Sequence, residues 1–240
     1  MNRSILSPAV LAVMLISPGL ASAAWKGEAE LGYVKTGGNT DTSTINAKAM
    51  AEQEVDKWRN TLKAEALNNS TDGVKTAERY FASGQTNYKF TQRSYLFGFL
   101  GYEDDRFSGY DYRASASVGY GNRVVDNKAV TLDLEIAPGG RQSKFSIGGE
   151  TENEFTVLGG LKLLWNISDT TKLTEDLSVE VGDKEKGGTV TRSTTALTSQ
   201  VAGNLFTKIS YMIRNSSVVP AGKEKTDDEF AVSLLYKFGK

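Results

Sequence analysis

Hydrophobic and polar residues alternate along most of this chain. From Tyr110 to Tyr120 the even positions are apolar and the odd positions are polar or Gly, and the same alternation returns at 58–66, 130–136 and 155–165. Successive side chains of a β-strand point to opposite faces, so a period of two predicts strands with one apolar and one polar face. From Phe230 to Phe238 the apolar residues keep one parity to the end of the chain.

The alternating runs, separated by turn-forming residues, predict an all-β fold. Their number is even and many are about ten residues or longer, which suits a transmembrane antiparallel up-and-down β-barrel of about 12 strands. The fifth run is apolar on both faces, so its inward parity cannot be assigned. The predicted strands are residues 25–36, 41–54, 57–68, 76–90, 94–104, 110–124, 128–137, 151–166, 172–183, 189–202, 206–215 and 227–238.

The connections fall into two classes if the N-terminus starts on the periplasmic side. The turns expected there are brief, whereas the external loops at 69–75, 138–150, 183–188 and 216–226 are longer, as is usual for such barrels. This topology places Trp25, Trp58 and Trp165 at the periplasmic interface, as an aromatic girdle predicts. The alternative is a soluble periplasmic barrel or sandwich with its apolar face inside; strand length, tryptophan level and loop asymmetry favour the membrane.

The N-terminal segment predicts export rather than structure. Asn2 and Arg3 form a positive region, Ala9–Ile16 form a short apolar run, and Ala21–Ala24 offer a small-residue cleavage site. The run is too short to span a membrane as a helix. We therefore expect residues 1–23 to be a cleaved signal peptide and residues 24–240 to form a barrel in the cell outer membrane.

The polar parity predicts a charged interior. Seven side chains of both signs are expected to line the lumen, where they would form either a narrow aqueous path or a packed network of ion pairs. A barrel of about twelve strands allows both, since about eight strands are filled by side chains and sixteen open a wide channel. The predicted lumen-lining residues are Arg59, Lys63, Glu65, Arg113, Asp133, Glu135 and Lys162.

Composition narrows the candidate chemistry. The chain has no His and no Cys, which removes the commonest general base, the imidazole metal ligand and every thiolate site. The formal net charge is -1, so no overall basic field favours nucleic acid. We expect no catalytic residues, no cofactor and no metal site; a hydrolase embedded in the barrel would need a Ser-Lys pair that no motif indicates.

Two local motifs resemble ligand-binding loops, but simpler structural interpretations are favoured for both. Glu103, Asp104 and Asp105 could bind a divalent cation at the outer rim, but their spacing matches no calcium loop, and a solvated loop is favoured. Gly37-Gly38-Asn39-Thr40 lacks the following helix and the Lys-Ser/Thr ending of a phosphate-binding loop, so we expect a tight hairpin connection.

Three segments carry a family resemblance. Residues 32–42, 77–80 and 104–112 resemble the salt-induced outer-membrane proteins, also known as the YdiY-like domain of unknown function 481, over essentially the whole mature chain. The resemblance implies an outer-membrane barrel with no established reaction or substrate. The ending Tyr236-Lys237-Phe238 also looks like the signal read by the barrel-assembly machinery.

These features give one functional expectation and one alternative. The first is a narrow passive pore for small ions or solutes, linked to salt or envelope stress. The second is a non-conducting structural or stress-related barrel. The expected partners are outer-membrane lipid, the barrel-assembly machinery and small ions or solutes, without nucleic acid.

Overall fold

The chain folds into twelve β-strands in the computed structural model, which describes residues 25–36, 42–183 and 186–239. The signal peptide and the 37–40 hairpin expected from the sequence lie outside the described residues. The strands are β1 Lys26–Thr36, β2 Thr42–Val55, β3 Trp58–Thr71, β4 Val74–Lys89, β5 Ser94–Asp105, β6 Tyr110–Asp126, β7 Val130–Phe145, β8 Thr151–Asn166, β9 Thr171–Val181, β10 Thr189–Ala202, β11 Leu205–Ser216 and β12 Thr226–Phe238.

Each strand pairs with its sequence neighbours, and β1 pairs with β12 to close the barrel. All twelve pairings are antiparallel, so the predicted all-β up-and-down barrel is confirmed. At the closing seam the register runs only from Gly27↔Phe238 to Leu31↔Leu234, whereas β1 pairs with β2 along its full length. Among the described residues, no helix is long and apolar enough to cross a membrane.

Two predicted loops are instead parts of long strands. The chain was expected to leave the sheet at Pro138, but β7 continues to Phe145, and Pro138 keeps its place opposite Val157 on β8. Toward β6 the register pairs stop at Ile136 and resume at Gly139, which spans the proline that cannot donate a hydrogen bond. The prediction of a loop over 138–150 was therefore wrong, because the Pro-Gly-Gly sequence marks a local break in pairing rather than the strand end.

The second predicted loop, residues 69–75, is also mostly strand. Strands β3 and β4 continue to a two-residue turn at Asp72-Gly73, with φ values of 50° and 78°. Two consecutive residues in the left-handed region are typical of the tight hairpin turn that Asp-Gly favours. The loops at 106–109, 146–150 and 217–225 share this long-loop end with the described loop residues 182–183 and 186–188, and the turns at 56–57, 90–93, 127–129, 167–170 and 203–204 share the opposite, short-turn end.

The barrel is apolar outside and polar inside. Large apolar side chains such as Leu31, Val118, Ile136, Phe155 and Val232 are more than half exposed on the outer face. The buried set is instead dominated by polar and charged groups facing the interior. This inversion of a soluble core is what a lipid-facing barrel with a polar lumen requires, and it contradicts the soluble alternative.

Aromatic side chains lie at two levels of the outer face. Trp25, Trp58 and Trp165 all lie at the short-turn end, where the Trp58 and Tyr88 rings are 5.1 Å apart. Tyr80 lies on the same face of β4 eight residues from Tyr88. At about 3.4 Å per residue and a tilt of about 40°, the two levels are roughly 20 Å apart, close to the apolar band of such barrels.

The fifth strand turns its aromatic residues inward. Tyr95 and Phe97 are buried against Ala137, while Leu96 is exposed to the outside. The Tyr95 ring covers Gly121 on the inner face of β6, and a Cβ atom at position 121 would lie 2.3 Å from that ring. The glycine therefore makes room for the aromatic side chain against the barrel wall.

We predict that Gly121→Ala destabilises the barrel by about 1–3 kcal/mol, because the added methyl group displaces the buried Tyr95 ring. Gly98→Ala is the control, since the nearest atom would be a methyl carbon of Thr86 at 3.8 Å. Urea unfolding in lipid vesicles would measure both. Equal stability of the two variants would show that the Tyr95 ring is not fixed against β6.

Candidate functional site: the polar lumen

The seven side chains predicted to line the lumen all border cavities inside the barrel. Six of them border one cavity of about 270 Å³ in the interior. Glu65 borders a smaller space of about 130 Å³ together with Lys63. The six around the first cavity are Arg59, Lys63, Arg113, Asp133, Glu135 and Lys162.

The level nearest the short-turn end is built around Asp133 on β7. Arg123 of the neighbouring strand β6 donates to both carboxylate oxygens, at 2.7 and 3.0 Å. Arg59 on β3 approaches the same carboxylate at 3.8 Å, and its guanidinium carbon lies 5.3 Å from the centre of the Tyr95 ring. One acid is thus shared by two basic side chains from different sides of the lumen.

The middle level is built around Glu135. Its carboxylate accepts hydrogen bonds from the Tyr95 hydroxyl at 2.8 Å, the Gln85 amide at 2.8 Å and the Lys162 ammonium at 3.0 Å. Lys63 on β3 pairs with Asp176 on β9 at 2.7 Å. Strands β3 and β9 are six apart in a ring of twelve, so this ion pair spans the lumen.

The level nearest the long-loop end is built around Glu103 on β5, which is 4% exposed. Arg113 of the neighbouring strand donates to it at 3.0 Å. Arg214 donates at 2.6 Å and Arg192 at 2.9 Å. These two residues come from β11 and β10, on the far wall, so two further ion pairs cross the lumen. Arg214 also holds Asp105 at 3.0 Å.

A second cluster of ion pairs lies at this level. Glu229 on β12 accepts from Arg79 on β4 at 3.0 Å and lies 3.4 Å from the Lys48 ammonium. The Asn46 amide also donates to Glu229. Beyond this level, toward the long loops, lies a second cavity of about 350 Å³ bordered by Arg79, Arg214 and Glu229. The lumen is therefore a series of small polar spaces separated by ion pairs.

Several residues of these networks were missed by the sequence analysis. Glu103, Asp104 and Asp105 were expected in a solvated loop, but they end strand β5, and Glu103 is buried at the centre of three arginines. The expectation of a solvated loop over these three residues was wrong, because the polar run continues the alternating inward and outward positions of the predicted strand 94–104. Arg141 lies in the part of β7 that was predicted as loop, where it pairs with Glu154 at 2.9 Å.

Arg192 and Arg214 lie on predicted strands, and their inward parity was the signal that could have identified them. Among the residues that the structure describes, no group of three or more acidic side chains is arranged to hold a metal ion.

The C-terminal residues lie at the closing seam. Tyr236 pairs with Ala29 and Phe238 with Gly27, and both aromatic side chains point outward. Leu235, which precedes Tyr236 on β12, faces inward and is buried. The residues expected to act as an assembly signal thus form the last rungs that join β12 to β1.

An apolar exterior, a polar lumen and twelve paired strands without a free edge define a membrane β-barrel of the outer-membrane type. The family described as "Protein of unknown function, DUF481" matches residues 29–238, and the chain belongs to this family. It is 26% identical to the uncharacterized protein YdiY of Escherichia coli K12 over 220 residues, which cover 91% of this chain and 85% of that protein. The family resemblance seen in the sequence is confirmed.

Two solved structures share the fold. The NanC porin aligns with a TM-score of 0.56 and 10% identity over 88% of this chain and 100% of its own. An outer-membrane channel from Pseudomonas putida F1 aligns with a TM-score of 0.53 and 10% identity over 94% of this chain and 100% of its own. Both likenesses concern the fold, which supports a location in the outer membrane.

Proposed function

We propose that this barrel is a narrow passive pore for small ions or solutes, exported to the outer membrane by its signal peptide. The observation that carries the proposal is the chain of polar cavities through the lumen, of about 350, 130 and 270 Å³ from the long-loop end inward. A structural barrel without transport has no need of such spaces between its charged layers. A role under salt or envelope stress belongs to the same proposal and rests on the family resemblance.

The charged side chains around the 270 Å³ cavity are balanced in sign. The 270 Å³ cavity has as many basic as acidic side chains, which predicts weak discrimination between cations and anions. The basic set is Arg59, Lys63, Arg113, Arg141, Lys162 and Arg192, and the acidic set is Glu52, Glu103, Asp133, Glu135, Asp176 and Glu180.

A non-conducting barrel is the second candidate, favoured by the ion pairs that cross the lumen. Lys63–Asp176 and the two far-wall arginines on Glu103 divide the interior. In a conducting barrel these links leave passages beside them or exchange with passing ions. Swelling of liposomes that contain the purified barrel, in sugars and salts of graded size, separates the two. We expect swelling with the smallest solutes only, and no swelling with any solute would favour the structural barrel.

We predict that Lys162→Glu shifts ion selectivity toward cations, because it replaces a positive charge with a negative one at the inner cavity. Lys144→Glu is a matched control: the Lys144 side chain is 36% exposed, like that of Lys162, but it pairs with Asp111 at the outer rim. Reversal potentials in a salt gradient measure the shift. Arg113, which was also predicted to line the lumen, is a poorer probe because it is buried against Glu103.

If the reversal potential does not change in the Lys162→Glu variant, the ions do not pass beside Lys162. An equal shift with Lys144→Glu would mean that selectivity is set at the mouth rather than in the inner cavity.

A further inference from the structure

The side chain of Glu175 places a charge on the lipid-facing side of the barrel, away from the rim. Glu175 on β9 is in register with Leu163 on β8 and Thr195 on β10. The adjacent Asp176 points into the lumen toward Lys63, so the carboxylate of Glu175 points outward. Leu173 and Leu177 flank it on the same face.

Glu175 lies inside the aromatic level, not at the rim. Trp165 is in register with Leu173, and Glu175 is the next outward residue along β9. Two residues of tilted strand carry it about 5 Å further toward the middle of the apolar band. An ionisable side chain at this depth is costly in lipid, and such residues usually serve a function.

The Glu175 carboxylate is bound by hydroxyl groups of the next strand. Ser193 Oγ donates to Oε1 at 2.6 Å, and Thr195 Oγ1 donates to Oε2. Both belong to a row of outward hydroxyls on β10, which we call the hydroxyl stripe. By contrast, the outer face of β12 is entirely apolar from Phe230 to Phe238. The hydroxyl stripe consists of Thr191, Ser193, Thr195 and Ser199.

We propose that Glu175 and the hydroxyl stripe form an interface with a second copy of this chain in the membrane. Ser193 and Thr195 donate to Glu175 and can still accept, whereas the Thr191 hydroxyl can both donate and accept, so two stripes related by a twofold axis can exchange hydrogen bonds. Its side chains are small, which lets two barrels approach closely, and polar contacts between them replace contact with lipid tails that offer no hydrogen bonds. A lipid headgroup does not reach this depth.

A pore and a structural barrel can both form dimers, so the interface does not depend on conduction. The chemistry of the surface defines the partner, which must present small hydroxyl-bearing side chains at the same depth. On strands β8 to β12 the remaining outward side chains between the aromatic levels are apolar or carry a hydroxyl. A second copy supplies the required chemistry without a further protein.

Cysteine cross-linking tests the interface directly, because the natural chain has no Cys. Leu197→Cys places a thiol on the outer face of β10 beside Thr195 and leaves the hydroxyl stripe intact. Val118→Cys, outward on β6 four strands away, is the control. With a short bis-maleimide in native membranes, we expect a product of twice the chain mass from Leu197→Cys and none from Val118→Cys.

The mass of the purified protein gives an independent measurement. We expect light scattering in detergent to show a dimer for the natural chain and a monomer for Glu175→Leu or for Ser193→Ala with Thr195→Val. Thr86→Val removes an outward hydroxyl on β4 and should leave the dimer unchanged. Heat-dependent gel mobility checks that every variant is a closed barrel.

A monomeric natural chain would overturn the proposal. So would a dimer that persists in the Glu175→Leu variant, equal cross-linking at positions 118 and 197, or a Leu197→Cys product whose mass shows a different protein.

Discussion

Val118→Arg is expected to lower the free energy of unfolding by about 2–4 kcal/mol, the cost of a charge near the bilayer midplane on the lipid face of a barrel. Val118 is 69% exposed on the outer face of β6, between Tyr112 and Tyr120. Urea unfolding in phospholipid vesicles, followed by the fluorescence of the three tryptophans, gives the difference.

The matched control changes the same residue type on the same strand and face. Val124 is 43% exposed and lies beyond Tyr120 toward the short-turn end. Val124→Arg should cost only about 0–1 kcal/mol, because the charge reaches the interface. Val118→Ile should be close to neutral. Equal costs at positions 118 and 124 would mean that β6 does not present this face to lipid.

Glu103→Gln is expected to lower the free energy of unfolding by about 3 kcal/mol, because it leaves the guanidinium groups of Arg113, Arg192 and Arg214 without their carboxylate in a buried position. Conductance should rise in the same variant, since two of the lost ion pairs cross the lumen. The same vesicles used for unfolding can be tested for ion flux.

Glu52→Gln is the control for the loss of a lumen carboxylate. Its partner Lys26 is 56% exposed and the pair is 3.0 Å long, so the cost should stay below about 1 kcal/mol. If Glu103→Gln lowered the free energy of unfolding no more than Glu52→Gln does, the three arginines would not depend on Glu103. Other contacts would then stabilise the level of the lumen nearest the long-loop end.

Strand number, parity and most strand ends could be predicted from the sequence because lipid and water act on alternate residues of every strand. The predicted bounds of residues 151–166 and 189–202 agree with β8 and β10. The errors fell where local signals and pairing disagree. Pro138-Gly139-Gly140 has the composition of a turn, yet pairing with β8 carries β7 through it.

The sequence predicted which residues face the lumen, but not which of them form ion pairs with each other. Parity placed Arg59, Asp133 and Lys162 on the inner face, but a period of two contains no information about which walls face each other. The contacts of Glu103 with Arg192 and Arg214 depend on barrel closure. Strand β11 lies opposite β5 in the closed barrel, and β10 is its neighbour in that far wall. The carboxylate of Glu175 on the lipid side was visible as a break in the apolar parity of its strand.

The most direct test of the proposed pore is a planar-bilayer recording of the purified natural chain in symmetrical potassium chloride. We expect discrete current steps smaller than those of wide sixteen-stranded porins, because ion pairs narrow the lumen at three levels. A silent bilayer, with closed barrels shown by heat-dependent mobility in the same preparation, would contradict the pore and leave a structural barrel.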